Sequence, residues 1–127
     1  MKRIYIAIGL FLFGMVFGYF TQYDIKTRTD KIVENINTIE EYLSKDEFKK
    51  AAEECKKTAD KFKKTDSKVM YSYYEHSTLA EIEENLYSMQ GYIERKEISN
   101  YNYLSGVTKG RLKAIADKEL INFQNIL

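Results

Sequence analysis

The sequence predicts an all-α protein, with an N-terminal transmembrane helix followed by a four-helix domain made of two αα-hairpins. Three observations predict this class. An uncharged apolar run extends from Ile4 to Phe20, apolar residues recur at steps of three and four through the rest, and the 127 residues contain no proline. Such steps place side chains on one helical face, and proline would interrupt long helices. We divide the chain into an anchor, residues 1–23, and a soluble helical-hairpin domain, residues 24–127.

The apolar run is long enough to cross a bilayer. At about 1.5 Å per residue, Ile4–Phe20 spans ~25 Å, and the next three residues extend it towards the ~30 Å hydrocarbon thickness. Tyr5, Tyr19 and Tyr23 lie near its ends, where aromatic rings favour the membrane interface. A cleaved signal peptide is the alternative, but it would end in small residues. This run ends in bulky ones, which favours an uncleaved anchor.

Two features of the anchor predict its orientation in the membrane and a contact between two copies of it. Lys2 and Arg3 favour a cytoplasmic N-terminus, and a long C-terminal domain translocates largely regardless of its charge. We therefore expect a single-pass cell-membrane protein with its domain extracytoplasmic. Gly14 and Gly18 form a small-xxx-small pattern that would let two anchors pack closely into a homo-oligomer. Glycines at this spacing also occur in membrane helices that do not dimerise.

Four amphipathic segments follow the anchor. The first should continue from the anchor without a break, and a turn at residues 44–47 follows it, where Ser44 and Glu47 have capping-box spacing. A polar connection is expected at 63–68 and a second turn at 94–97. The apolar stripes are Ile25, Ile32, Ile36, Ile39 and Leu43; Phe48, Ala52, Cys55, Ala59 and Phe62; Met70, Leu79, Ile82, Leu86, Met89 and Ile93; and Tyr101, Leu104, Leu112 and Ile115.

The chain resembles itself at an offset of fifty residues. Identical residues stand at both positions of the pairs Ile32/Ile82, Glu34/Glu84, Asn35/Asn85, Tyr42/Tyr92, Glu47/Glu97, Thr58/Thr108 and Lys63/Lys113. The matches include both turns, which favours a duplicated αα-hairpin, stacked as in helical-repeat proteins. Coincidence among helix-forming residues is the alternative.

The composition argues against several functions. Apart from Lys2 and Arg3 all charged residues lie in the domain, which is close to neutral, so we expect no nucleic-acid partner. Cys55 is the one cysteine, and neither an internal disulfide nor a thiol metal cluster can form. His76 is the one histidine, whereas metal sites on helices need several converging ligands. We predict no cofactor, no metal and no catalytic residue.

His76 is more consistent with helix packing beside Tyr73 and Tyr74, and we take these three residues as a candidate interaction surface. Ser77 adjoins His76, but neighbours in a helix point about 100° apart, so the pair does not form a nucleophile with its base. An enzyme using His76 with nearby carboxylates is the less favoured alternative.

From His76 onward one set of residues carries a resemblance to a known family: His76-Ser77, Leu79, Ile82-Glu83, Leu86, Tyr92-Ile93 and Asn125-Ile126-Leu127. In these residues the chain resembles a family of small uncharacterised membrane proteins of spore-forming clostridia, the domain of unknown function DUF4363. Tyrosines replace a tryptophan that the family tends to carry before the histidine, and Thr78 and Ala80 stand where acidic residues are frequent. The resemblance implies location and architecture, a partner among integral membrane proteins, and a link with sporulation.

The sequence therefore predicts a non-enzymatic, membrane-anchored interaction or structural protein. Its expected partners are the lipid bilayer and another membrane or envelope protein. The alternative of another class is a structural homo-oligomer assembled through the transmembrane helix.

Overall fold

The computed structural model describes the backbone of residues 2–71 and 76–126, and the side chains as far as Asp117. Its elements are α1 (Lys2–Ser44), α2 (Phe48–Lys61), a π-helical turn (Phe62–Asp66), α3 (Ser67–Met70), α4 (His76–Glu94) and α5 (Ile98–Ile126). Within those ranges no strand is present, and the predicted all-α class is confirmed.

Helix α1 contains both the predicted anchor and the first helix of the domain. Its 43 residues run without interruption across the predicted boundary between Tyr23 and Asp24. Large apolar side chains from Ile4 to Tyr23 are exposed, whereas Ile25 is fully buried. In the described part of the chain, α1 is the one helix long and apolar enough to cross a membrane, by length and composition. We call Ile4–Tyr23 the apolar segment.

The four long helices form a closed bundle. Helix α1 packs on α2 and on α5, and α4 packs on the same two helices, so every helix lies between two antiparallel neighbours. The two predicted αα-hairpins therefore pack against each other as a closed ring. An open pair would leave one apolar face of each hairpin in water, and closing the ring buries both. The buried core includes Ile36, Cys55, Phe62, Leu86, Met89 and Tyr101.

The two hairpin turns have the same geometry. In the first, Glu47 donates its backbone N–H to the Tyr42 carbonyl at 2.9 Å and Asp46 donates to Leu43 at 3.1 Å. In the second, the same bonds at positions fifty residues later measure 2.8 and 3.0 Å. This pattern is a Schellman motif, and it requires a left-handed residue after the helix. Asp46 (φ 58°) and Lys96 (φ 59°) take that conformation.

The similarity also extends into the core. Ile36 and Leu86 are both fully buried, and so are Phe62 and Leu112. The Thr58 hydroxyl donates to the carbonyl four residues earlier at 2.9 Å, and its counterpart fifty residues later does so at 2.8 Å. The sequence repeat is thus a repeat of backbone geometry and packing, as a duplicated hairpin predicts.

Two local predictions about the turns and connections are wrong. Ser44 donates its hydroxyl to the Glu41 carbonyl at 2.6 Å, and Glu47 makes no side-chain capping bond, so no capping box forms. The Schellman bonds already close this turn through the backbone. Residues 63–68 are helical rather than a connection, because the chain passes through the π-helical turn and continues to Met70.

The bundle has two distinct ends. The far end carries the turns at residues 45–47 and 95–97. At the near end α1 enters the bundle from the apolar segment, and α3 ends and α4 begins. Helix α5 also descends to the near end, antiparallel to α1.

Cys55 lies in the middle of the core and should be chemically inert. It is fully buried, and its thiol donates to the Leu86 carbonyl at 3.3 Å. Burial raises the pKa of the thiol to about 12, with a smaller contribution from the charge of Glu94. The thiolate is the reactive form, and it is therefore scarce at neutral pH.

We expect Cys55 to resist a water-soluble maleimide at pH 7.5 until the bundle unfolds. Mass spectrometry of the full-length protein in mild detergent, with and without guanidinium chloride, checks this. Tyr103→Cys is the matched control, because Tyr103 is 74% exposed on α5. The added cysteine should react at once, and equally fast labelling of Cys55 would contradict the buried position.

Candidate functional site at the near end of the bundle

Arg28 connects two carboxylates where α1 enters the bundle. Its Nη1 lies 2.8 Å from Asp66 Oδ1, and its Nε lies 3.1 Å from Asp24 Oδ2. The Asp66 side chain is only 2% exposed, and that of Arg28 is 25% exposed. The hydrogen bond from Arg28 to Asp66 raises the pKa of the guanidinium above its usual value, although burial opposes this. This charge-assisted pair fastens α1 to the segment that follows α2.

The π-helical turn brings Asp66 into this position. A π turn adds one residue to a helical turn and so rotates the residues that follow it around the axis. Phe62 at its start and Asp66 at its end are both buried, while Lys63, Lys64 and Thr65 between them are exposed. Such turns occur frequently at functional sites. Here the turn gives a core position to a carboxylate in a lysine-rich stretch.

Two exposed rings follow Asp66 in the sequence. The rings of Tyr71 and His76 are stacked with centroids 4.3 Å apart and planes 16° apart. His76 is the first residue of α4 and is exposed. Tyr73 and Tyr74, the other members of the candidate interaction surface, lie outside the described residues. The interaction itself stays a prediction.

The two anchor glycines lie in the apolar segment. A Cβ atom added to Gly14 would meet nothing within 4 Å, so this position is open to a neighbouring helix. Gly18, one turn further along, is half-buried. Assembly of two anchors through these residues stays a prediction.

Two grooves on opposite sides of the bundle are related by the internal repeat. One, of about 580 Å³, lies between α1 and α5, and the other, of about 570 Å³, lies between α4 and the π-helical turn. Corresponding residues line both: Val33 and Glu83, Glu34 and Glu84, Asn37 and Tyr87, Lys113 and Lys63. The bundle therefore presents two surfaces of similar shape.

The two grooves differ in the side-chain bonds that join their helices. Tyr87 donates its hydroxyl to Asp60 at 2.7 Å and so joins α4 to α2. This hydrogen bond, with smaller contributions from burial and negative charge, raises the pKa of Tyr87 to about 12. The equivalent positions on the other side are Asn37 and Gly110, and a Cβ at Gly110 would meet nothing within 4 Å. The α1–α5 groove has its own cross-link, because Glu40 of α1 accepts from Ser105 and Lys109 of α5 at 2.7 and 2.8 Å.

Over the described residues, no group of three His, Cys, Asp or Glu side chains could hold a metal ion. The sequence analysis missed Arg28 and Asp66, whose side chains meet across 38 positions of chain. The available signal was weak: Asp66 is one acidic residue in a lysine-rich run, and Arg28 directly precedes buried Thr29.

Comparison with known proteins returned one family. The model of a domain of unknown function, DUF4363, matches residues 19–126, which include the last part of the apolar segment and nearly all of the bundle. No curated protein and no solved structure matches the chain.

Proposed function

The chain belongs to the DUF4363 family, and on that premise we propose that it is a membrane-tethered helical module that binds another membrane or envelope protein and performs no catalysis. The observation that carries the proposal is the continuity of α1. One helix provides both the apolar segment and a quarter of the bundle core. The bundle is therefore held at a fixed distance from, and in a fixed orientation to, a membrane in which the anchor is inserted.

The character of the apolar segment supports its insertion in a membrane. Its large side chains are mostly more than half exposed, including Phe11 and Phe13 at 67% and 70%. Such a continuous apolar surface is unfavourable in water and favourable in hydrocarbon. Lys2 and Arg3 support a cytoplasmic N-terminus, which would place the bundle on the extracytoplasmic side.

The near end supports binding of a protein partner. It presents the stacked rings of Tyr71 and His76 on a bundle that the Arg28–Asp66 pair fastens to the anchor helix. Aromatic residues and arginine are enriched at protein interfaces. The resemblance to proteins of spore-forming clostridia extends the proposal to an integral membrane partner in the envelope of such a bacterium.

Cross-linking in the native cells tests the proposal. Affinity-tagged full-length protein would be cross-linked, solubilised in mild detergent and purified, and captured proteins identified by mass spectrometry. We expect one integral membrane protein in repeated experiments, with less capture by Tyr71→Ala/His76→Ala. The matched control, Tyr103→Ala, changes an exposed aromatic residue on α5. Recovery of the tagged chain alone would instead support the homo-oligomer, and equal capture by both variants would contradict a near-end interface.

A further inference from the structure

Lysines occupy the outer side of α2 and of the helical segment that follows it. Four exposed lysines recur there at steps of four, three and four residues: Lys57, Lys61, Lys64 and Lys68. Each lies two positions along the chain from a fully buried residue, as Lys64 does from Phe62. Residues two positions apart in a helix point to nearly opposite sides, so the four side chains point away from the core. We call these four residues the lysine face.

The positive charge of the lysine face is not compensated within the part of the chain that the structure describes. There, none of its four lysines forms an ion pair with a carboxylate. Other lysines of the bundle do form such pairs: Lys31, Lys45, Lys50 and Lys109. Between residues 61 and 71 the sequence has four lysines and one carboxylate. That carboxylate, Asp66, is already paired with Arg28.

The neighbouring helix in the ring has the opposite charge. Helix α4 carries four glutamates and neither lysine nor arginine. Glu83 and Glu84 line the groove between α4 and the π-helical turn, together with Lys63. Because Lys63 faces these carboxylates, it is not part of the lysine face. Positive charge is thus concentrated on the α2 side of the bundle and negative charge on the α4 side.

The lower part of the lysine face lies at the level where α1 leaves the apolar segment. Asp66 bonds to the guanidinium of Arg28, which also bonds to Asp24 four residues below it. The height of Asp66 is therefore between those of Asp24 and Arg28. Counting along both helices from the middle of the first hairpin turn also places Asp66 level with Lys26. At 1.5 Å per residue, Lys26 lies about 4.5 Å above Tyr23, the last residue of the apolar segment.

This register gives the heights of the lysines above the apolar segment. Helix α2 runs antiparallel to α1, so Lys68 lies about 2 Å above the level of Tyr23, Lys64 about 8 Å and Lys61 about 12 Å. The headgroup layer of a bilayer is about 5–7 Å thick on each side of the hydrocarbon. In an upright bundle, Lys64 and Lys68 therefore lie at the level of the lipid phosphates, and Lys61 lies above them.

A lean of the bundle toward α2 would bring more of the lysine face to the membrane. The outer side of α2 is about 15 Å from the axis of α1, given the usual spacing and radius of packed helices. Membrane helices tilt by about 20° on average, which would lower a point at that distance by about 5 Å. Lys61 would then reach the headgroups. A lean toward α4 would instead bring its glutamates closer to them.

We propose that the lysine face binds anionic phospholipid headgroups of the bilayer that holds the anchor, and that this contact makes the bundle lean toward α2. The inference rests on the membrane placement in the proposed function. Lysines beside a membrane-spanning helix are attracted to anionic lipid. Because α1 holds the lysine face beside the headgroups, even weak individual contacts are favoured by the high effective concentration of lipid. The contact thereby selects one orientation of the rigid protein.

Fluorescence quenching in lipid nanodiscs tests this inference on the full-length chain. Thr65 and Ser77 are exposed and each lies nineteen residues from the left-handed residue of its hairpin turn, so bimane labels at Thr65→Cys and Ser77→Cys report at matched heights. Buried Cys55 stays unlabelled. Replacing part of the phosphatidylcholine by phosphatidylglycerol should raise quenching by headgroup nitroxides about twofold or more at position 65. Quenching at position 77 should stay constant or fall.

Salt and charge removal identify the cause of the change. Raising the salt from about 0.1 M to 1 M shortens the Debye length from about 10 Å to 3 Å and should reverse the rise at position 65. The variant Lys61→Gln/Lys64→Gln/Lys68→Gln should show no rise. The matched control, Lys45→Gln/Lys49→Gln/Lys50→Gln, removes the same charge about 30 Å above the apolar segment. This control should retain the full rise.

Four outcomes would overturn the inference. Quenching at position 65 that does not depend on phosphatidylglycerol, or a rise that the lysine-face variant retains, would exclude the lipid contact. An equal rise at positions 65 and 77 would exclude the lean. If the lipids have no effect but the lysine-face variant loses the cross-linked partner, the lysine face binds an acidic protein.

A separate label distinguishes failure of the proposed function from failure of this inference alone. A bimane label at Leu12→Cys, inside the apolar segment, should be quenched by nitroxides on the lipid acyl chains. If it escapes quenching, the membrane placement fails, and this inference fails with it. If it is quenched while position 65 does not respond to phosphatidylglycerol, the anchor is in the membrane and only the lysine-face contact is wrong.

Discussion

Replacing Arg28 by alanine is expected to lower the free energy of unfolding by about 2–4 kcal/mol. Removing one partner of a buried ion pair typically costs about 3–5 kcal/mol, because the other charge is left without compensation in the interior. The Asp66 carboxylate is almost completely buried, but Arg28 is one-quarter exposed, and water will offset part of the loss. Urea denaturation of the full-length protein in mild detergent, followed by far-ultraviolet circular dichroism, measures the change.

Arg111→Ala is the matched control for this prediction. Arg111 lies 2.9 Å from Glu81, but both side chains are exposed, at 45% and 42%. Exposed pairs contribute about 0–1 kcal/mol, so this variant should unfold close to the wild-type midpoint. Equal effects of the two substitutions would show that the Arg28–Asp66 contact does not fasten α1 to the π-helical turn.

Phe62→Ala should destabilise the bundle by about 3–5 kcal/mol. Phe62 is fully buried at the start of the π-helical turn, and large-to-small changes of aromatic core residues lose both transfer free energy and packing around the cavity. The loss should also disturb the turn that positions Asp66. Denaturation in mild detergent should show a lower unfolding midpoint, and the α-helical signal before the transition should be largely retained.

The repeat provides an internal comparison for Phe62. Leu112 is its counterpart fifty residues later and is also fully buried, so Leu112→Ala should cost about 2–5 kcal/mol. Tyr103→Ala, at an exposed position, should change stability by less than about 0.5 kcal/mol. If Phe62→Ala were as mild as Tyr103→Ala, the core assignment at the π-helical turn would be wrong.

Most of the fold could be predicted because helical burial leaves a period in the sequence. Ile25, Ile32, Ile36 and Ile39 mark the core face of α1, and all are buried. The offset of fifty residues predicted two equivalent hairpins, and their turns agree bond for bond. These signals can be found in one sequence, because they depend only on the spacing of residues along the chain.

The near end could not be predicted in the same way. A π-helical turn breaks the regular spacing, so the lysine-rich stretch around it resembles a solvated connection. Whether Asp66 is buried depends on a partner 38 residues earlier, and no local pattern encodes that contact. The closure of the ring also depends on packing between distant helices, which periodicity leaves open. The stacking of His76 on Tyr71 likewise follows from where α3 ends and α4 begins.

Because α1 is unbroken, it joins the apolar segment rigidly to the bundle. From Asp24 to Ser44 the helix extends about 30 Å beyond the apolar segment, and the other three long helices are packed to it. A change of about 10° in the tilt of the anchor would move the far-end turns sideways by about 5 Å. Membrane helices adjust their tilt over this range when the bilayer thickness changes. Under the membrane placement proposed above, thinning or thickening of the bilayer would therefore be amplified into a displacement of the far-end turns.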